Sequence, residues 1–141
     1  MPTESQGTTP MTILLVEDSR FLRLSAERAL TKVGHRVISA ADGNDAVRVA
    51  RESLPDLILL DMMLPKMTGP EVLETLRKDP ATKHIPVIVL SGLSQKNEST
   101  LLKMGATAYF EKSAKMWDQG LGSLIALIEK VMVESNRVKD V

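Results

Sequence analysis

The chain has 141 residues, no cysteine, and 18 basic side chains that balance 18 acidic ones. This is the length of one ordinary domain, and the lack of cysteine excludes both a disulfide framework and a metal site built on thiolates. A neutral chain has no bulk field for nucleic acid, and no apolar run is long enough to cross a bilayer.

We therefore expect a cytoplasmic protein that neither binds nucleic acid directly nor inserts into a membrane. Residues 1–10 are polar and contain neither the cationic nor the apolar segment of a signal peptide. We assign them to a flexible N-terminal tail, followed by one domain over residues 11–134 and a frayed C-terminal tail over residues 135–141.

The first part of the domain alternates strand and helix signals. Residues 12–16 (TILLV) form a short apolar run, which predicts a buried strand. A helix is expected to follow from Ser19, whose hydroxyl suits an N-cap, and Gly34 suits the position just past its end. Residues 36–40 (RVISA) predict a second strand, and Asp42 is expected to cap the helix after it.

The same alternation continues through the rest of the domain. Three further strands are predicted, over residues 56–60, 86–90 and 107–111. Three further helices are predicted: one opened by residues 68–70 (TGP), with proline in the first turn, one over residues 98–105, and a long one with apolar positions from residue 121 to 132. Five strands that alternate with five helices predict an α/β fold, a parallel sheet covered on both faces.

Acidic residues stand where two of these buried strands end. Glu17 and Asp18 directly follow the first strand, and Asp61 directly follows the third. An acid after a strand is often only a turn former or a helix cap. Three acids at two strand ends are less easily explained so, because ligands of open parallel sheets bind outside the carboxyl ends of the strands. Carboxylates without histidine or cysteine suit Mg²⁺, so we expect these three acids to hold that ion.

Two other strand ends carry groups that would suit a phosphoryl group. The fourth strand runs into Ser91, and the fifth runs through Glu111 into Lys112. Taken singly, Ser91 could be a turn residue and Lys112 a solvated surface charge. Together with the acids they predict a site in which a metal ion, an ammonium and a hydroxyl share phosphoryl oxygens.

At this point the motifs resemble a known family. The segments LLVEDS, LLDMMLPKMTG, VIVLSG and AYFEK, in this order and at strand ends, are similar to those of the receiver domain of two-component response regulators. The resemblance spans residues 11–134. It implies a flavodoxin-like (βα)5 fold, doubly wound, with a five-stranded sheet in the order 2-1-3-4-5.

The resemblance also implies roles for individual residues. Asp61 would be the phosphoacceptor, which attacks a phosphoryl group carried by a sensor histidine kinase or a histidine phosphotransfer protein. Asp18 and Asp61 would bind Mg²⁺ directly, Glu17 through water, and Met63 through its backbone carbonyl. Lys112 would stabilise the phosphoryl group.

The family's switch residues fall on Ser91, which would also contact the phosphoryl group, and on Tyr109. Their movement would alter the face formed by the fourth helix, fifth strand and fifth helix, for a downstream protein target or for onward phosphotransfer. The chain would be a monomer or a weak dimer through that face. It would be no enzyme beyond its own Mg²⁺-dependent phosphorylation and slow autodephosphorylation.

One position departs from the family pattern, which places proline after the lysine. Here Ser113 follows Lys112, and a cis bond before a residue other than proline costs about 2.5–4 kcal/mol. This departure favours an alternative reading, a receiver-like interaction domain that acts without phosphorylation. A metal-dependent phosphohydrolase is disfavoured because Met63 stands where its second acid would be. Flavin binding is disfavoured because acids follow the first strand.

Overall fold

The computed structural model of the protein describes residues 10–92, 98–112 and 121–139. Within these ranges, strands and helices alternate along the chain. In order, they are β1 (Thr12–Val16), α1 (Arg20–Lys32), β2 (Arg36–Ala40), α2 (Gly43–Ser53), β3 (Leu57–Asp61), α3 (Gly69–Lys78), β4 (Val87–Ser91), α4 (Glu98–Lys103), β5 (Ala108–Glu111) and α5 (Gly122–Lys139). The tail predicted for residues 1–10 lies outside the described residues except for Pro10.

All five strands belong to one parallel sheet in the order β2-β1-β3-β4-β5. The predicted fold class and strand order are therefore confirmed. The connection reverses direction at β1, whose two neighbours are β2 and β3. This reversal opens a crevice at the carboxyl ends of β1 and β3, where doubly wound sheets bind ligands.

The sheet is buried on both faces because alternate side chains of each strand point to opposite sides. In β1, Leu14 and Val16 pack in the cluster built with α2, α3 and α4. Ile13 and Leu15 pack in the cluster built with α1 and α5. Such double burial explains why the strands read as nearly continuous apolar runs. None of the described helices combines the length and apolarity that a membrane span requires.

Local capping contacts fix where the first three helices begin. The side chains of Ser19 and Asp42 accept hydrogen bonds from the backbone N–H groups of Leu22 and Asp45, as the sequence predicts. Thr68 and Glu71 form a reciprocal capping box at the start of α3. These caps fix the start of the three helices that follow β1, β2 and β3, and so position the loops at that edge of the sheet.

The last helix differs from the expectation of a frayed tail over residues 135–141. It continues through residues 135–139, because neither glycine nor proline interrupts the chain after residue 122. The third and fourth strands also begin and end one residue later than predicted. Asp61 and Ser91 are therefore the last residues of β3 and β4, still paired in the sheet.

A buried histidine lies in the turn between α1 and β2. Only 3% of His35 is exposed, and within the described part of the chain neither ring nitrogen has a hydrogen-bond partner. Burial lowers the pKa of His35, and the negative charge of Glu129 on α5 opposes this only in part. The folded protein therefore holds this imidazole in its neutral form more strongly than the unfolded chain does.

The free energy of unfolding should therefore decline as pH falls through about 6.5, because the unfolded chain then takes up a proton that folded His35 does not. Urea denaturation between pH 7.5 and 5.5 would measure this slope. His35→Phe should flatten it, whereas His84→Gln, at the exposed second histidine, should leave it unchanged. An undiminished slope in His35→Phe would contradict the assignment to His35.

Candidate functional site

All five strands end at one edge of the sheet, and four of them place there the polar side chains singled out in the sequence. Each is the last residue of a strand or the residue directly after one: Glu17, Asp61, Ser91 and Lys112. Asp18 follows Glu17 in the loop before α1. One carboxylate oxygen from each of Glu17, Asp18 and Asp61 lies within 4.8 Å of those of the other two. The predicted convergence of the three acids is thus seen in the structure.

Lys112 links the acids from across the sheet. Its Nζ lies 3.0 Å from Glu17 Oε1 and 3.2 Å from Asp61 Oδ2. Its backbone N–H donates to the carbonyl of Ser91 at 2.7 Å, which fixes the chain beside β4 just before the side chain turns to the acids. All three of these charged groups are at least four-fifths buried, so the ion pairs are poorly screened by water.

The electrostatics of the site follow from this burial. Burial raises the pKa of Glu17 and the charge of Asp61 adds to the rise, against opposing hydrogen bonds from Lys112 and the Ser19 N–H. Burial alone would lower the pKa of Lys112, but its hydrogen bond to Glu17 and the charges of both acids outweigh burial and raise that pKa. Lys112 therefore remains an ammonium.

Asp61 is held by one contact at each carboxylate oxygen. Its Oδ1 accepts a hydrogen bond from the backbone N–H of Met63 at 3.1 Å, and its Oδ2 faces Lys112. The two contacts orient the carboxylate in its strand-end position, where it is 2% exposed. The Met63 side chain points away into solvent.

The loop after Asp61 passes so close to α3 that only glycine fits. A Cβ at Gly69 would lie 2.6 Å from Met62 Cα and 2.7 Å from the Asp61 carbonyl oxygen. The Gly69 N–H also donates to the Met62 carbonyl. This close approach keeps the loop folded back over the strand end, which explains the glycine of the LLDMMLPKMTG motif.

The donor set suits a divalent cation. Three carboxylates face one ammonium, so Lys112 leaves part of the negative charge uncompensated. All the side-chain ligands are oxygens, which matches Mg²⁺ rather than metals that prefer imidazole or thiolate. Glu17 and Asp61 are buried, whereas Asp18 is exposed and leaves an open side for solvent ligands.

The two predicted switch residues occupy different places. Ser91 is fully buried at the end of β4, at the same edge as Asp61. Tyr109 lies within β5, where it pairs with Val89, and its half-buried ring packs against the cluster that includes Leu101 of α4. The structure thus places Tyr109 on the face of the sheet that α4 covers, two residues before the end of β5 where the acids gather.

Two features of the site were not predicted from the sequence. Lys112 contacts Glu17 as well as Asp61, and Arg23 Nη1 donates to the Glu17 carbonyl at 2.9 Å. The position of Arg23, one turn beyond the N-cap Ser19, is the signal that could have revealed this contact. The bond between Lys112 and Ser113 lies outside the described residues, so the expectation about that bond stays a prediction.

Comparison with known proteins decides the family. A family model described as the response regulator receiver domain matches residues 13–118. The chain belongs to this family. Receiver domains are signalling modules of two-component systems, they bind Mg²⁺ at an acidic pocket, and they interact with histidine kinases and downstream targets. The acidic cluster described above is the matching feature of this chain.

Several known proteins are similar. DivK of Brucella anthropi, a polar-differentiation response regulator, is 35% identical over 73% of this chain and 85% of its own. The transcriptional regulatory protein AfsQ1 of Streptomyces coelicolor is 40% identical over 71% of this chain and 44% of its own. The chain spans about half the length of the first curated relatives. The Mn(2+)-bound form of response regulator Rcp1 superposes with a TM-score of 0.71 at 31% identity, over 80% of this chain and 91% of its own.

Replacing Asp18 with Asn should weaken Mg²⁺ binding by about tenfold or more, because it removes one charged oxygen ligand. Mg²⁺ that binds the folded protein should raise its melting temperature, and a chelator should reverse the rise. The Asp18→Asn variant should lose most of this shift. The matched control is Glu111→Gln, an exposed acid at a strand end outside the cluster; an equal shift in all three proteins would contradict the site.

Proposed function

We propose that Asp61 is the phosphoacceptor of this receiver domain. Its carboxylate attacks the phosphorus of a phosphohistidine on a sensor kinase or a histidine phosphotransfer protein. The new oxygen–phosphorus bond forms as the phosphorus–nitrogen bond breaks, and the histidine nitrogen leaves with the electron pair and takes up a proton. The proposal is carried by the contacts of the Asp61 carboxylate: one oxygen faces the Lys112 ammonium, and the other accepts a hydrogen bond from the Met63 N–H.

The surrounding residues supply the charge that such a transfer needs. Glu17, Asp18, Asp61 and the Met63 carbonyl would hold Mg²⁺, which when bound offsets negative charge on the phosphoryl oxygens. Lys112 already contacts Asp61, so a short side-chain movement brings its ammonium to a phosphoryl oxygen on that residue. The Mn(2+)-bound Rcp1 supports a divalent cation in a similar protein.

Ser91 and Tyr109 are proposed to carry the signal away from Asp61. Attraction of the Ser91 hydroxyl to the phosphoryl group changes the space beside β4, and the Tyr109 ring can then turn. The face of α4, β5 and α5 would present a different surface to a downstream protein target, or the phosphoryl group would pass to another histidine. The chain would act as a monomer or a weak dimer through that face.

Hydrolysis of the acyl phosphate is expected to be slow. Met63, two residues after the acceptor, has an exposed thioether side chain, and a thioether does not position an attacking water as a carboxylate or an amide would. The chain would therefore catalyse only its own phosphorylation and a slow loss of the phosphoryl group. This property suits a module whose phosphorylated form must last long enough to meet its target.

Incubation with Mg²⁺ and a small acyl-phosphate donor should add one phosphoryl group to the protein, as seen in its intact mass. Asp61→Asn should add none, because the amide lacks a nucleophilic carboxylate. The matched control is Asp56→Asn, the same change at the other end of the strand, where Asp56 accepts from the Thr12 N–H. An adduct that persists in Asp61→Asn would place the acceptor elsewhere. No adduct in the wild type, with either this donor or a phosphorylated kinase, would favour the phosphorylation-independent alternative.

The switch role of Tyr109 can be read from a single probe, because the chain contains one tyrosine. Fluorotyrosine incorporated at that position should give one ¹⁹F signal that shifts on phosphorylation. The shift should be absent in Asp61→Asn and reduced in Ser91→Ala, which removes the hydroxyl that relays the change. An unchanged signal in protein whose mass shows the adduct would exclude Tyr109 from the switch.

A further inference from the structure

Arg77, near the end of α3, makes a set of contacts that the phosphoryl chemistry does not use. Its Nε donates to the Gly105 carbonyl at 2.8 Å. Its Nη1 donates to the carbonyls of Lys83 and Ile85 at 3.0 and 2.7 Å. Burial lowers the pKa of Arg77. One guanidinium therefore joins α3, the segment that leads into β4, and the segment that follows α4.

The Gly105 contact falls at the C-terminal end of α4. Gly105 N–H donates to the Leu102 carbonyl and Ala106 N–H to the Leu101 carbonyl, the paired bonds of a Schellman motif. Gly105 has φ of +113°, in the left-handed region, and a Cβ there would lie 2.8 Å from Arg77 Cγ. Arg77 thus packs against the residue that ends the helix and bonds to its carbonyl.

The residues after Gly105 are fixed to the sheet as well. The Thr107 N–H donates to the Val87 carbonyl at 2.8 Å, and the Thr107 hydroxyl accepts from the Val87 N–H at 3.0 Å. The C-terminal end of α4 is therefore held on two sides, by Arg77 of α3 and, through Thr107, by Val87 of β4.

One flank of α4 borders a cavity, although Leu101 of this helix is buried in the core. A cavity of about 400 Å³ separates Thr100, Leu101 and Met104 of this segment from Met63 and Pro70 of the loop and helix after Asp61. A six-residue helix is too short to be stable by itself, so its position depends on such contacts. The helix is thus anchored at its C-terminal end, and the cavity shared with the residues after Asp61 gives it room to move.

We propose that Arg77 is a positioning residue of the switch, which fixes the C-terminal end of α4 so that the helix pivots about Gly105. The pivot would close or open the cavity beside Met63, and so couple the state of Asp61 to the outer surface of α4. The pivot on phosphorylation rests on the function proposed above, whereas the anchor is a property of the resting protein. The two parts can be tested separately.

The anchor is tested by amide hydrogen exchange in the resting protein. Arg77→Met should speed exchange of the Gly105 and Ala106 N–H groups by about tenfold, because it removes all three hydrogen bonds of the guanidinium. Arg77→Lys keeps the charge but not the several N–H donors of the guanidinium. Its exchange rates at these two amides should lie between those of Arg77→Met and the wild type. The matched control is Arg51→Met, which removes the exposed ion pair with Asp79. Equal exchange in Arg77→Met and Arg51→Met would overturn the anchor.

The pivot is tested by the distance between two labels on introduced cysteines. Because the chain lacks cysteine, labels attach only at the two chosen positions. Glu74→Cys on α3 would be paired with Ser99→Cys near the start of α4, or with Lys103→Cys near its end. Phosphorylation should change the first distance and leave the second unchanged. In Arg77→Met the second distance should change too, while the rate of phosphoryl uptake by mass stays near that of the wild type.

The outcomes separate the two proposals. An adduct accompanied by equal movement at residues 99 and 103 in the wild type would overturn the pivot and leave the phosphoacceptor intact. Absence of any adduct would overturn the proposed function and with it the pivot on phosphorylation, while hydrogen exchange would still decide the anchor. If Arg77→Met does not fold, the labelled wild type and Arg77→Lys supply both readouts.

Discussion

Three carboxylates crowd beside a single ammonium at the carboxyl ends of the strands. Glu17 and Asp61 are buried, with Asp18 close by, and like charges at this range repel strongly where water is scarce. Lys112 offsets part of that repulsion through two short contacts. The resting site therefore remains short of positive charge, which makes it receptive to a divalent cation.

A site of this kind needs rigid support, because the side chains would relax apart if the backbone allowed it. The support comes from parallel strands buried on both faces, whose ends cannot shift without disturbing the core. The Met63 N–H fixes Asp61, and the close packing of Gly69 holds the loop over the strand end. The cost of the crowded charges is thus offset by apolar packing elsewhere in the sheet.

Most of the fold and the membership of the site could be predicted, because they depend on patterns local in sequence. Apolar runs predict the strands, and since parallel strands end at a common edge, the acids after the first and third strands had to meet. The contact of Lys112 with Glu17 could not be predicted. Which of the neighbouring acids the ammonium contacts depends on differences in distance of about an ångström. The contact between Arg77 and Gly105, 28 residues apart, leaves no periodic signal. The length of α5 was misjudged because polar residues without glycine or proline do not by themselves end a helix.

The shared use of Lys112 links the two halves of the site. Because its ammonium contacts both Glu17 and Asp61, anything that neutralises Glu17 weakens one of its two attachments and leaves it freer to follow Asp61. Cation binding at the acids and the phosphorylation proposed for Asp61 would then be coupled, and linkage requires the coupling to be reciprocal for the binding equilibria. Lys112 continues directly from β5, three residues after Tyr109, while the Lys112 N–H bonds to the Ser91 carbonyl. A change in the side-chain contacts of Lys112 therefore acts on β4 and β5. These are the two strands beside which the C-terminal end of α4 lies.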